Sequence, residues 1–495
     1  MSEKSPEYLG YYPGAELVFA IVCPLGTRYE RVVEALGNYL KHFNYEAKNV
    51  HVSQYFDDLL VQLGSELRPE SDDAAALAKH KIAAGNAIRQ LSGKNDIMAL
   101  VAAGAIADLR QKTNKALGRK STERRSLPLN NTAYVISTLR RPEEVSTLRR
   151  IYGDGFFLIG INASPESRLE FLGEKRIVGD DAVNLMETDA KEKLEYGQAT
   201  RDAFQMADVF MPEDARGEFG EPVKRFLDLL FGSPYLTPTG EEHAMFMAYA
   251  ASLRSGDLSR QVGAALIDPN GDLISVGYNE APKPGGGLYG PEQPSHRDIE
   301  RGNDSNELEK EAMADRIIHG LPPELDADCV RSSLKAAGFF DITEFGRAVH
   351  AEMEALLACA RSGRSARRAT LYTTTLPCHN CTRHIIAAGI DKVIYIEPYA
   401  KSKASDLHRE EISVDREEKG KIPFLPFIGV GPRRYFDLFS LTLSSGYPVK
   451  RKRDGFLAPW ERATAAVRLQ VKPSTYLVRE LLAYNALKGI RSSHG

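Results

Sequence analysis

Two short stretches in the second half of the chain bring together residues able to do metal chemistry. They are Val349-His350-Ala351-Glu352 and, after a gap, Pro377-Cys378-His379-Asn380-Cys381. One imidazole and two thiolates suit Zn²⁺. Three protein ligands leave the fourth tetrahedral position open to water, as in a catalytic rather than a closed structural site. Glu352, two residues past the histidine, is poorly placed as a ligand but within reach of whatever the metal binds. Metal-activated water beside a carboxylate that carries protons is hydrolytic chemistry.

The elements around these residues must satisfy a geometric condition. Residues two apart point to nearly opposite sides of an ideal helix, so His350 and Glu352 can share a site only at a first turn, with the metal over the helix end. The apolar run Met353, Leu356, Leu357, Ala360 predicts that helix. Cys378 and Cys381, at i and i+3, share a face, and Ile385-Ile386-Ala387-Ala388 continues as a second helix closed by Gly389. Two helix N-termini then point at the metal and favour the thiolate forms. Either half alone is as well explained by a loop-stapling C-x-x-C or an unrelated His-x-Glu. Together, with the β-like run 370–374 leading into the cysteines, they match H-x-E…P-C-x-x-C, the signature of zinc nucleobase deaminases.

Composition sets the frame. At 495 residues the chain predicts two to four domains, and a net charge of −3 announces neither nucleic acid nor membrane as a partner. No apolar run is long enough to span a bilayer, and the polar start Met1-Ser2-Glu3-Lys4-Ser5 does not read as a secretion signal. Five cysteines, an odd count in a long chain, argue against a disulfide framework. With Cys378 and Cys381 assigned to metal, Cys23, Cys329 and Cys359 read as reduced thiols, and the expected compartment is cytoplasmic.

Along the chain, residues 16–22 read as a buried strand, 23–28 as a turn and 29–43 as a helix. Strand, turn and helix in that order can form a phosphate-binding loop, with Gly26, Thr27 and Arg28 as the nucleotide-binding candidates. The pattern G-x-x-x-x-G-K-[ST] would need Gly at 21 and Lys at 27, where this chain has Ile21 and Thr27. An ordinary βα turn explains these residues equally well. Helix 73–91 and strands at 133–136 and 156–161 continue an α/β alternation, which implies a mostly parallel sheet covered on both faces. Charged, Gly- and Pro-containing stretches at 211–222 and 237–240 mark a boundary. Beyond it come a helix at 244–253 and a hairpin, 262–267 and 273–278, around Asn270-Gly271. A polar insert follows at 282–345 with a helix at 307–319. After the metal half-sites, strands are expected at 393–396 and 424–430. The tail carries Lys450-Arg451-Lys452-Arg453 and a helix near 475–487; such a basic cluster is either solvated surface or a contact for phosphates or RNA.

Residues 240–440 resemble deoxycytidylate (dCMP) deaminase. The resemblance rests on Met247-Ala-Tyr-Ala-Ala-Ser-Leu-Arg-Ser-Gly-Asp257, Gln261-Val-Gly-Ala264, Gly277-Tyr-Asn279, His350-Ala-Glu352 and Leu371-Tyr…Pro377-Cys-x-x-Cys381…Ile385-Ile-x-Ala-Gly389, in that family's order. The whole chain resembles the bacterial antiviral cytidine deaminases (AvcD-like), through Gly346-Arg-Ala-Val-His-Ala-Glu352, Arg301-Gly-Asn-Asp-Ser-Asn306, Pro398-Tyr-Ala-Lys-Ser402 and Gly431-Pro-Arg-Arg-Tyr435. This implies an α/β protein in which a P-loop NTPase or nucleotide-kinase-like three-layer domain (1–235) precedes a cytidine-deaminase-like α/β/α domain. The second domain (236–440) would have a mixed five-stranded sheet, followed by a basic extension (441–495).

The resemblance further implies zinc-dependent deamination of dCTP and dCMP during phage infection, a homo-oligomer of hexamer type, and in some members restraint by a small RNA. Zn²⁺ would be held by His350, Cys378 and Cys381. Glu352 would shuttle protons from the water to ring N3 and to the leaving ammonia as C4 is attacked. Asn279 would hold the sugar 3′-hydroxyl and Arg254 the phosphates. Tyr399 reads either as a stacking partner or as an ordinary packed aromatic. Two other readings compete: a housekeeping dCMP deaminase, for which the chain is long, and a nucleic-acid base editor or RNA-binding regulator using the basic tail and the insert.

Overall fold

Leu-Val-Phe-Ala-Ile-Val has no polar alternation, so a strand made of it must be covered on both faces. In the computed structural model this run is β1 (Leu17–Val22), buried at every position. The structure describes residues 14–492 apart from 120–124, 126, 191, 193, 214–219, 293, 323, 399–401 and 444–445. The chain forms two compact units, one of residues 1–239 and 428–495, the other of residues 240–427.

In the first unit β1 lies at the centre of a sheet ordered β2-β3-β1-β4-β5. Here β2 is Glu46–His51, β3 Thr132–Ser137, β4 Phe156–Asn162 and β5 Val209–Pro212, all parallel. The two-residue strand Gly429–Val430 adds antiparallel to β5. The unit therefore takes back the chain after residue 428, and the tail is not a free extension. Its helix Pro473–Ser492 is held by a buried charge cluster: Arg110, fully buried, donates to Glu16 (2.9 Å) and to Glu480, and Tyr476 donates to Glu16 (2.7 Å). Truncating one member of such a cluster leaves a buried charge uncompensated, at a cost of about 3–5 kcal/mol. Lys450 to Arg453 themselves are exposed.

In the second unit β6 (Gly263–Ile267) and β7 (Leu273–Tyr278) form the expected hairpin. The sheet continues β8 (Thr370–Thr375), β9 (Lys392–Glu397), β11 (Ile422–Pro426) and β10 (Ile412–Val414), in the order β7-β6-β8-β9-β11-β10. β6 is antiparallel to both neighbours and the rest are parallel. The sheet is mixed as expected but has six strands, not five. The sixth, Ile412–Val414, is three residues long and too short to show a period of two. The run read as one strand at 424–430 is two: Ile422–Pro426 pairs with β9 in this sheet, and Gly429–Val430 pairs with β5 in the first unit's sheet.

Gly263 pairs with Tyr278 and Ala264 with Gly277, so Gly263 and Gly277 face opposite sides of the sheet. Gly263 faces the helix Gly240–Ser252, and Gly277 faces the helix Ala351–Arg361. This makes a three-layer α/β/α arrangement. The insert contributes the helices Asp298–Arg301, Ser305–His319 and Ala327–Ala336.

Candidate active site

The site starts from a bare position on β7. A Cβ on Gly277 would stand 2.1 Å from Ala351 O and 2.5 Å from Ala355 N, so only glycine lets that helix rest directly on the strand. The helix begins at Ala351 with His350 as its N-cap, in extended backbone (φ −68°, ψ 153°). That break at the first turn lets residues two apart converge. Cys378 repeats the device as N-cap of the helix His379–Ala387 (φ −70°, ψ 164°), its sulfur accepting from Cys381 N at 3.5 Å.

His350 Nδ1 lies 3.4 Å from Cys378 Sγ and 3.3 Å from Cys381 Sγ. Zinc bonds of about 2.0–2.3 Å at tetrahedral angles separate such a nitrogen and sulfur by about 3.6 Å. The three donor atoms all lie within 4.8 Å of one another. The donor set and its spacing therefore fit a zinc ion. Glu352, 4 % exposed, places Oε2 3.5 Å from Cys381 Sγ, beside the donors but not among them.

The electrostatics are those of a cluster suited to a cation. Burial pushes the Glu352 carboxyl up. The Cys378 thiol is pulled down to about 4, first by its hydrogen bond with Cys381 and then by His350. Cys381 is held up, first by Cys378 and then by burial. His350 rises to about 9, chiefly through Cys378. Thiolates are the forms that bind metal, and a dication among these groups displaces the protons they share.

A cavity of about 290 Å³ opens over the cluster, walled by Asn279, Arg260 and Thr375 and by the insert residues Asn306, Lys310 and Phe340, with Arg347 just beyond the insert. Asn279 is on that wall with its amide partly engaged: Oδ1 accepts from Val262 N (2.7 Å) and Nδ2 donates to Arg260 O (2.9 Å). One N–H and one acceptor lone pair remain for a sugar hydroxyl. Arg254 is not brought to the cavity; its guanidinium lies 4.4 Å over the Tyr278 ring. Arg260, which sequence reasoning passed over, is on the wall, 3.1 Å from Glu397. Its signal was its place just before Gln261-Val262-Gly263-Ala264. Tyr399 lies outside the described residues.

The first unit's predicted turn is a different case. Leu25 N donates to Asp189 (2.8 Å) and Arg28 N to Glu213 (3.0 Å), while Thr27 Oγ1 donates to Pro24 O (2.7 Å). The Arg28 guanidinium is paired with Glu174 (2.7 Å). Two of the backbone donors that a phosphate would use, Leu25 N and Arg28 N, already hold the chain's own carboxylates.

A family model of the cytidine and deoxycytidylate deaminase zinc-binding region matches residues 238–397, which contain the whole cluster. The deoxycytidylate deaminase of Mycobacterium phage D29 is 50% identical over 158 residues, 32% of this chain and 94% of that protein. That of Enterobacteria phage T4 is 35% identical over 169 residues, 32% of this chain and 77% of its own. The Homo sapiens deoxycytidylate deaminase is 23% identical over 155 residues, 31% and 63% of the two chains.

Proposed function

The chain belongs to the deoxycytidylate deaminase family, and from that premise we propose that it converts dCMP, and also dCTP, to the uracil nucleotides by hydrolytic deamination. The observation that carries this is the convergence of His350 Nδ1, Cys378 Sγ and Cys381 Sγ beside a buried Glu352 carboxyl, at the floor of a cavity large enough for a pyrimidine ring. His350, Cys378 and Cys381 would hold zinc, which supplies a water polarised at neutral pH. Glu352 takes a proton from the attacking water and passes it to ring N3. It then takes the proton of the new C4 hydroxyl and gives it to the amine, which leaves as ammonia while C4 becomes the carbonyl and N3 keeps its proton. Its buried position, which raises its proton affinity, suits a group that must take up and release a proton twice in one turnover. Asn279 offers its remaining N–H and lone pair to the sugar.

For the phosphate we favour Arg260 over Arg254. Of the three cations on the wall, Arg260 has the most exposed side chain, at 41 % against 27 % for Arg347 and 4 % for Lys310. Its partner Glu397 can release it to an incoming anion.

The finer reading is an antiviral enzyme that drains dCTP during phage infection, works as a homo-oligomer and is restrained in some relatives by a small RNA. A second unit beyond the deaminase supports it, as does the parallel order β2-β3-β1-β4-β5 with its first strand central, which agrees with a nucleotide-kinase-like first domain. Among the described residues no helix is long and apolar enough to cross a membrane. The test is to incubate the protein with dCMP, dCTP, CTP and single-stranded DNA and measure uracil product. Turnover of the deoxynucleotides is expected; deamination of the polynucleotide alone would overturn the reading.

A further inference from the structure

The first unit holds a cavity of about 440 Å³ past the carboxyl ends of β1, β2 and β3. Its size is within the range of about 300–1,000 Å³ typical of small-molecule sites. Ligands of parallel sheets bind at such strand ends. The cavity lies beside the Gly26 turn, yet neither Gly26, Thr27 nor Arg28 lines it.

The buried polar atoms on its lining with no hydrogen-bond partner among the described residues include Gln198 Oε1, on a residue 5 % exposed, and Arg89 Nε, on a residue 2 % exposed. Leaving a buried polar group unpaired is costly, so each marks a place where a ligand can complete a bond. The first asks for a donor and the second for an acceptor. Thr138, also on the lining, has φ +54°, a conformation strained for a β-branched residue and typical of ligand sites. The lining acids Glu144 and Asp189 are already tied to Arg89 and Arg140. Phe56, Ile82, Met98 and Ile177 supply apolar walls, while the exposed Lys81 and Lys175 have no carboxylate partner among the described residues.

We propose that this cavity binds a nucleoside monophosphate, its base between the apolar walls with an N–H on Gln198 and an acceptor on Arg89, and its phosphate toward Lys81 and Lys175. No phosphate need enter the Gly26 turn, where the Leu25, Thr27 and Arg28 N–H groups are occupied. Gly85, inside the helix Ala74–Ser92, provides a clean probe, since a Cβ there meets its nearest neighbours at 3.7–3.8 Å, ordinary contact. Alanine at that place leaves the cavity open and leucine fills it.

The test is calorimetry on the full chain with AMP, GMP, UMP and dTMP, and with ribose 5-phosphate and inorganic phosphate as baseless probes. We expect one nucleotide to bind at micromolar concentration, Gly85→Leu to weaken it at least thirtyfold, Gly85→Ala to leave it within a factor of about three, and Gln198→Met to weaken it about tenfold. Should Gly85→Leu fail to fold, the Gln198→Met result decides. No heat with any of the four nucleotides, an affinity unchanged by Gly85→Leu or Gln198→Met, or equal binding of ribose 5-phosphate would each overturn the proposal.

Discussion

Both units run a chain segment into the start of a helix and gather polar atoms there, but only one leaves those atoms for an outside group. At His350 and Cys378 the helix-capping side chains are themselves the donors, and among the described residues no fourth His, Cys, Asp or Glu joins the group they form with Cys381. At Leu25 and Arg28 the donors are backbone N–H groups, and Asp189 and Glu213 fill them. The same local order therefore yields a metal-type centre in one unit and a self-satisfied turn in the other. A helix start becomes a site only where the rest of the fold withholds its own ligands.

Substitutions can break that contrast. The largest effect is expected from Glu352→Ala: turnover of dCMP should fall by about 10⁴-fold, while zinc content by elemental analysis stays that of the parent, because Glu352 is beside the ligands and not one of them. Loss of metal in that variant would contradict its role. Next is Gly277→Ala, whose methyl would meet Ala351 O at 2.1 Å. Pushing the helix off β7 moves His350, so melting should show a loss of about 3 kcal/mol or more together with weakened zinc retention. Arg260→Ala should raise KM for dCMP about 10–100-fold, the worth of a charge-assisted hydrogen bond of about 1.5–3 kcal/mol, with kcat changed far less. An unchanged KM would return the phosphate to another residue. The smallest effect is in the first unit: Glu213→Gln should cost about 1–2 kcal/mol, since Arg28 N keeps an acceptor but loses a charged one, and dCMP turnover should not change.

How much of this could be read from the sequence depended on the range of the signal. The two metal half-sites were legible because ligand type and spacing are local. The hairpin 263–278 was legible because Asn270-Gly271 sits between two apolar runs. β1 declared itself by six consecutive apolar residues. The helix Ile97–Ala116 did not, because it is buried nearly all round and so lacks an amphipathic period. β2, an edge strand with only Val50 buried, reads as polar chain. The return of residues 428–495 to the first unit depends on Arg110 meeting Glu16 and Glu480, partners 94 and 370 residues away. Arg260 carried a sequence signal in its place before Gln261-Val262-Gly263-Ala264, but that Arg254 instead lies over the Tyr278 ring, and that the insert shares the cavity wall, depend on contacts that no spacing rule encodes.

The central claim is that His350, Cys378 and Cys381 hold one zinc ion with a position left for solvent. Zinc-edge X-ray absorption on the purified protein tests it most directly. One zinc per chain is expected, with two sulfur neighbours at about 2.3 Å and one nitrogen and one oxygen at about 2.0–2.1 Å. Absence of stoichiometric zinc, or a shell completed by a fourth protein ligand with no oxygen, would contradict it.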